Sequence, residues 1–152
     1  MSDEQELRRT RPHHVGIVVK DINKAIAHFE ALGFGPFMFD DEHKTFTLHF
    51  VGELHGKPAE WKTTISNAQM GDVQLELLEP AEGDQALKET LDAQGEGLHH
   101  IGWLTSDIQG EIARATATGV KVWTSSFPEG NPGFCYFEGS DIGNLAIELR
   151  EP

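Results

Sequence analysis

The chain is short of three things, and each shortage narrows what it can be. It has a single cysteine, Cys135, among 152 residues, so no internal disulfide can form. Basic residues are scarce: 12 Lys and Arg stand against 25 Asp and Glu, for a formal net charge of −13. No block of Lys or Arg is present, which argues against nucleic acid or an anionic membrane as a partner; a polyanionic ligand would need a local basic patch that the sequence does not display. Long apolar runs are missing as well. None approaches the roughly 20 residues needed to cross a bilayer, and nothing at the N-terminus reads as a signal peptide. The expected compartment is a reducing cytoplasm, and the expected partner is a small molecule.

What the chain does contain is a repetition. Pro12-His13-His14-Val15-Gly16 returns, 86 residues later, as Leu98-His99-His100-Ile101-Gly102. The same offset aligns Asp21 with Asp107, Ile22 with Ile108, Ile26-Ala27 with Ile112-Ala113, and Gly33 with Gly119. A second echo, Leu75-Glu76-Leu77-Leu78-Glu79-Pro80 against Ile147-Glu148-Leu149-Arg150-Glu151-Pro152, runs at an offset of 72. The first unit therefore holds about 14 extra residues, most of them expected between 52 and 60. At this length the chain is one compact body made of two modules, each marginal alone. Each module begins with a His and ends with a Glu.

Local patterns give the elements. Residues 1–11 are polar and aperiodic and are expected to form a flexible lead-in. His13 to Lys20 is a β-branched run suited to a buried strand. Asp21 suits a helix N-cap, Ile22, Ala25, Ile26, Phe29 and Leu32 fall on one helical face, and Gly33 stops the helix. Strands are expected at 45–51, 61–66 and 73–79, the last ended by Pro80, with a loop over 52–60 that contains Gly56 and Pro58. The modules then divide as 12–80 and 98–152, joined by a linker helix within 81–97. The second module repeats the plan, with Asp107 as N-cap and Gly119 as stop. Its helix carries Glu111 where Ala25 stood and is expected to be the more exposed one. Strands and helices in this order indicate an α+β fold with mostly antiparallel sheet.

Strand parity places the chemistry. His14 shares a face with Gly16, and His100 with Gly102, while Glu76 and Glu148 sit on one face of their own strands. A glycine two residues from each His leaves space over that face for a ligand. If the sheets curl toward a common axis, two His and two Glu converge. Imidazole with carboxylate, and no thiolate, is a donor set for a borderline divalent ion. His13 and His99 have the opposite parity and are expected behind the sheet or in solvent. His49 is expected at the surface, Cys135 is expected to be a buried, unreactive thiol, and Trp61, Trp103, Trp123, Phe50 and Phe134 are expected to be core or pocket wall.

These strings carry a family resemblance. His13-His14-Val-Gly-Ile, Gln74-Leu-Glu76-Leu-Leu-Glu-Pro80 and Gly97-Leu-His-His100-Ile-Gly resemble the vicinal oxygen chelate superfamily (glyoxalases, bleomycin resistance proteins, dioxygenases). They are most similar to its methylmalonyl-CoA epimerase and glyoxalase-like members. The resemblance implies two βαβββ modules forming a cup-shaped sheet around one divalent ion (Zn, Co, Ni or Mn, with Fe less expected). It implies His14, Glu76, His100 and Glu148 as metal ligands, and a homodimer. The activity it implies is an isomerase or lyase reaction on a small carbonyl substrate, in which a proton moves next to the carbonyl and the ion holds the enediolate. An epimerase of a methylmalonyl-CoA-type thioester and a glyoxalase-like lyase are the two forms of that expectation. Glu148 and Glu76 are the candidate bases, and Glu148 is favoured because Arg150 lies two residues away on its face while Glu76 has neutral Gln74. An iron ring-cleaving dioxygenase and a non-enzymatic drug-binding protein are the other classes on this fold. One departure counts against a CoA thioester: where many of the epimerases carry Phe-x-His-Pro-Lys, this chain reads Phe137-Glu138-Gly139-Ser140-Asp141.

Overall fold

A computed structural model describes Arg9 and residues 11–152. The lead-in expected over 1–11 therefore lies largely outside the described residues. The element order is β1 (His14–Val18), α1 (Ile22–Ala31), β2 (Phe46–Leu54), β3 (Lys57–Met70), β4 (Val73–Glu82), α2 (Ala86–Gln94), β5 (Gly97–Leu104), α3 (Ile108–Ala117), β6 (Val122–Ser126), β7 (Phe134–Phe137) and β8 (Ala146–Arg150). A strand, a helix and three strands thus occur twice, with α2 between. Eight strands close into one curved barrel in the order β1-β4-β3-β2-β6-β7-β8-β5. The fold is α+β and mostly antiparallel; β1–β4 and β5–β8 are the parallel pairs. Among the described residues, no helix is long and apolar enough to cross a membrane.

The two crossover helices start as their sequences require. Asp21 accepts from the Lys24 amide at 3.1 Å, and Asp107 accepts from the Gly110 amide at 3.1 Å, each filling an orphan donor of the first turn. Gly33 and Gly119 follow at φ 92° and 94°, the left-handed backbone that ends a helix. Each helix covers the outer face of its own module. Ile22 and Ile26 pack on Leu75, Leu77 and Ala68, and Ile108 packs with Leu149, Cys135 and Phe137. Because side chains alternate along the strands, the residues between these outward ones face the barrel interior. Cys135 is fully buried, and burial pushes its thiol up to about 12, so it is unreactive as expected.

The structure corrects the sequence reading at three places. Residues 52–60 are not a loop: β2 and β3 pair from Phe46↔Ile65 out to Leu54↔Lys57 around a two-residue turn. His55 and Gly56 both have positive φ (52° and 76°), as a tight hairpin turn demands, and Pro58 is accommodated within the strand. This long hairpin reaches β6, where Glu53↔Ser125 and Leu54↔Thr124 close the barrel. Pro80 does not end β4, which runs on to Glu82 past a register shift at Lys62/Thr63. Finally, Glu111 does not make α3 the more exposed helix. It is buried and ion-paired with Arg9, so a charge partner replaces the expected solvent.

Candidate metal centre

The site is built on four adjacent strands, β4-β1-β5-β8, whose registers form two lateral rows. In one row Glu76 lies opposite Gly16, which lies opposite His100; in the next His14 lies opposite Gly102, which lies opposite Glu148. Each row holds one His and one Glu with a glycine between them, and the rows are related by exchanging the two halves of the chain. The glycines are not space for a ligand, as their sequence position suggested. A Cβ on Gly16 would stand 2.1 Å from His100 Cε1, and one on Gly102 would stand 2.0 Å from His14 Cε1. Each module's glycine makes room for the imidazole of the other module.

The four side chains converge. One donor atom from each of His14, Glu76, His100 and Glu148 lies within 4.8 Å of the other three, and all four residues are buried. His14 Nε2 is 2.5 Å from Glu148 Oε2 and 3.9 Å from Glu76 Oε1; His100 Nε2 is 3.0 Å from Glu148 Oε2 and 3.5 Å from Glu76 Oε1. Despite these approaches, His100 Nε2 and Glu76 Oε1 make no hydrogen bond among the described residues. Buried polar atoms are seldom left so. The spacing also suits donors arranged around one cation at bonds of ~2.0–2.2 Å. The residues present therefore fit a divalent ion: two imidazole nitrogens, two carboxylates, no thiolate, and orphaned donor atoms turned toward one another.

Electrostatics lead to the same place. Burial by itself would raise both glutamates, but the Arg150 guanidinium and the neighbouring imidazoles outweigh it, holding Glu76 down to about 2 and Glu148 well below the usual carboxylate range. Arg150 Nη2 lies 3.3 Å from Glu76 Oε2 and 3.0 Å from Glu148 Oε1, and its Nε donates to Glu148 Oε1 at 3.1 Å. Two carboxylates facing one guanidinium leave one negative charge uncompensated. His100 answers this without metal: burial lowers it, but Glu148 and Glu76 more than reverse that and push it up to about 9. A divalent ion would supply the missing positive charge in place of that proton.

His13 and His99 were missed as parts of the site. His13 Nδ1 lies 2.9 Å from His14 Nδ1, and His99 Nδ1 lies 2.8 Å from His100 Nδ1. An imidazole that offers Nε2 to a cation carries its proton on Nδ1, so with an ion bound His14 would donate to His13 and His100 to His99, which would fix ring and tautomer together. His99 is fully buried, and burial followed by the His100 charge lowers it to about 3, keeping it neutral and able to accept. Neither belongs to the converging quartet, and parity says nothing about contact along one strand. The duplicated His-His pair was the available signal.

Above the quartet is a cavity of about 370 Å³. Glu76, Glu148 and Arg150 line it, whereas His14 and His100 do not. Its walls include Phe50, Trp61 and Phe134, as the sequence suggested, and also Tyr136, whose ring stacks on His100 at 4.8 Å. His49, expected at the surface, is half-exposed at the cavity and paired with Glu60 at 3.1 Å. Arg150 does not favour Glu148 alone, as its sequence position implied, because it reaches both glutamates.

Comparison with known proteins agrees with this architecture. By sequence the chain is 27% identical over 146 residues to the uncharacterized protein YqjC of Bacillus subtilis (strain 168), covering 93% of this chain and 92% of that protein. Among solved structures, the hypothetical protein BH1468 from Bacillus halodurans C-125 is similar at a TM-score of 0.65 and 19% identity, covering 93% of this chain and 94% of that one. Methylmalonyl-CoA epimerase of Streptomyces coelicolor, in complex with 2-nitronate-propionyl-CoA, is similar at 0.61 and 24% identity, covering 95% and 98%. At such identities these structures share the fold. Residues 13–137, from β1 through β7, match the Glyoxalase/Bleomycin resistance protein/Dioxygenase superfamily, and the chain belongs to that superfamily.

Proposed function

We propose that the protein is a divalent-metal-dependent isomerase or lyase that moves a proton at the carbon next to a carbonyl, with His14, Glu76, His100 and Glu148 as metal ligands. The observation that carries this reading is a duplicated, buried His/Glu quartet at the floor of an apolar cavity that only its carboxylates line. A bound divalent ion (zinc, cobalt, nickel or manganese by donor type) would supply Lewis acidity against the charge that develops on the carbonyl oxygen. The protein's own groups then handle the proton. A carboxylate takes it from the carbon and returns it to the same or a neighbouring carbon, with no net oxidation.

The geometry favours Glu76 over Glu148 as the carboxylate that moves. Glu148 is closer to both imidazoles and holds Arg150 through two nitrogens; Glu76 stands farther off and has one oxygen without a hydrogen bond. Glu148 is the anchor on this reading. Burial and the nearby carboxylates keep Tyr136 well above the usual phenol range, so it stays protonated beside the cavity as a hydrogen-bond donor to a substrate oxygen. Likeness to the methylmalonyl-CoA epimerases supports an epimerase-like reaction; a glyoxalase-like lyase is the same proton transfer on another carbon skeleton. Iron ring cleavage uses two His and one carboxylate with three positions free, and a fourth protein donor here leaves too few.

The test is solvent-deuterium incorporation into methylmalonyl-CoA, hemithioacetals and small 2-oxo and 3-oxo acids. Exchange without oxygen uptake is expected. Glu76→Gln should nearly abolish it with metal retained, and Glu148→Gln should lower it together with metal content. No exchange with any carbonyl compound would replace the enzyme reading with a binding protein.

A further inference from the structure

The cavity is specific in ways the metal quartet does not explain. Its walls are aromatic: Phe50 stacks on Trp61 at 5.6 Å and meets Phe134 edge-on at 5.5 Å, and Phe134 continues to Tyr136 at 5.3 Å. At about 370 Å³ it falls at the small end of ligand pockets, room for one compact ring system and a short chain. One flank is shut where the long β2–β3 hairpin meets β6. There Thr124 Oγ1 donates to the Glu53 carbonyl at 2.6 Å and Ser126 Oγ to the Val51 carbonyl at 2.8 Å, and a Cβ on Gly52 would stand 2.0 Å from the Ser125 carbonyl oxygen. A long substituent cannot leave by that side.

The floor holds polar groups that no part of the chain satisfies. Among the described residues, Arg150 uses Nε and Nη2 on the two glutamates while Nη1 makes no hydrogen bond, and its side chain is 27% exposed toward the cavity it lines. Asn67 also lines the cavity, with Oδ1 buried and unpartnered. Charge completes the picture. Two glutamates, one guanidinium and a divalent ion sum to one excess positive charge, in a chain whose formal net charge is −13. The floor therefore calls for one negative charge, and Arg150 is the cation placed to receive it.

We propose that the substrate is a compact aromatic carbonyl compound bearing one anionic group, with its ring enclosed by Phe50, Trp61 and Phe134 and its anion on Arg150. This inference rests on the metal-dependent proton-transfer reading of the same site and specifies the substrate class. The ring gains by displacing water from apolar walls, and the anion supplies the partner that Arg150 Nη1 lacks. A CoA thioester would leave its bulk outside the cavity and the aromatic walls unused.

Calorimetric titration of the protein as isolated tests it with a set of ligands that separates ring from charge. Phenylpyruvate and benzoylacetate carry both, pyruvate and acetoacetate lack the ring, and phenylacetone lacks the charge; methylmalonyl-CoA is the bulky comparison. The aromatic acids should bind at least tenfold more tightly than every other member. Phe50→Ala should narrow the gap between aromatic and aliphatic acids, and Arg150→Lys the gap between the acids and phenylacetone. Because Phe50 and Arg150 also pack within the fold, the ligand series on the unaltered protein decides. Equal binding of pyruvate and phenylpyruvate, equal binding of phenylacetone, or tightest binding of methylmalonyl-CoA would overturn the proposal. Deuterium exchange run in parallel keeps the two readings apart. Aromatic-acid selectivity without exchange would leave this inference and remove the isomerase or lyase reading; exchange on a CoA thioester without that selectivity would do the reverse.

Discussion

A methyl group at Gly16 or Gly102 has nowhere to go, because the imidazole of the opposite module already lies about where it would project. Neither glycine has a positive φ, so the requirement is steric and not conformational. Gly16→Ala should therefore displace His100, and Gly102→Ala should displace His14, although the substituted residue is not itself a ligand. The expected outcome is a loss of about 1–3 kcal/mol of stability from overpacking, together with weakened metal binding, read by denaturant titration and by metal content. A fully stable variant with unchanged metal content would mean that the rings do not need these positions. At this scale the sequence was legible in part. The four ligand candidates could be named because they recur in both halves, and Cys135 because a thiol among aromatic residues is usually buried. The reciprocal placing of glycine under the other module's histidine was not, since parity assigns a face but says nothing about which strand pairs with which. The same gap hid the His13–His14 and His99–His100 contacts.

Among the elements, β1, α1, β5 and α3 were readable from capping aspartates, apolar spacing and glycine stops, all of which are local signals. The β2–β3 hairpin was not. Gly52, Gly56 and Pro58 are residues that usually mark loops, yet here Gly52 serves close packing against Ser125, Gly56 a tight turn, and Pro58 sits in a strand. The extra residues of the first module therefore extend two strands that reach β6. The turn itself is the sensitive point. Gly56 holds φ 76°, which a β-branched residue tolerates poorly, so Gly56→Val should cost about 1–3 kcal/mol and raise susceptibility to proteolysis at the hairpin. Gly56→Asn, which accepts left-handed backbone, should cost much less. Equal stability of the Val and Asn variants would contradict the turn geometry.

For the whole molecule, the repeat has a consequence neither module could reach alone. Parallel pairing inside each half, β1 with β4 and β5 with β8, sets Gly16 beside Glu76 and Gly102 beside Glu148, and antiparallel pairing of β1 with β5 brings the halves together so that each row holds the His of one half and the Glu of the other. The centre exists only when the barrel closes. Without a metal ion its charges balance only through a proton held on His100, and removing one imidazole removes both a donor and its place in the row. Metal analysis after dialysis against a chelator, comparing the unaltered protein with His14→Ala and His100→Ala, tests this most directly. The account predicts one divalent ion per chain in the unaltered protein and at least a tenfold loss of affinity in each variant; full metal content retained by His14→Ala would contradict it.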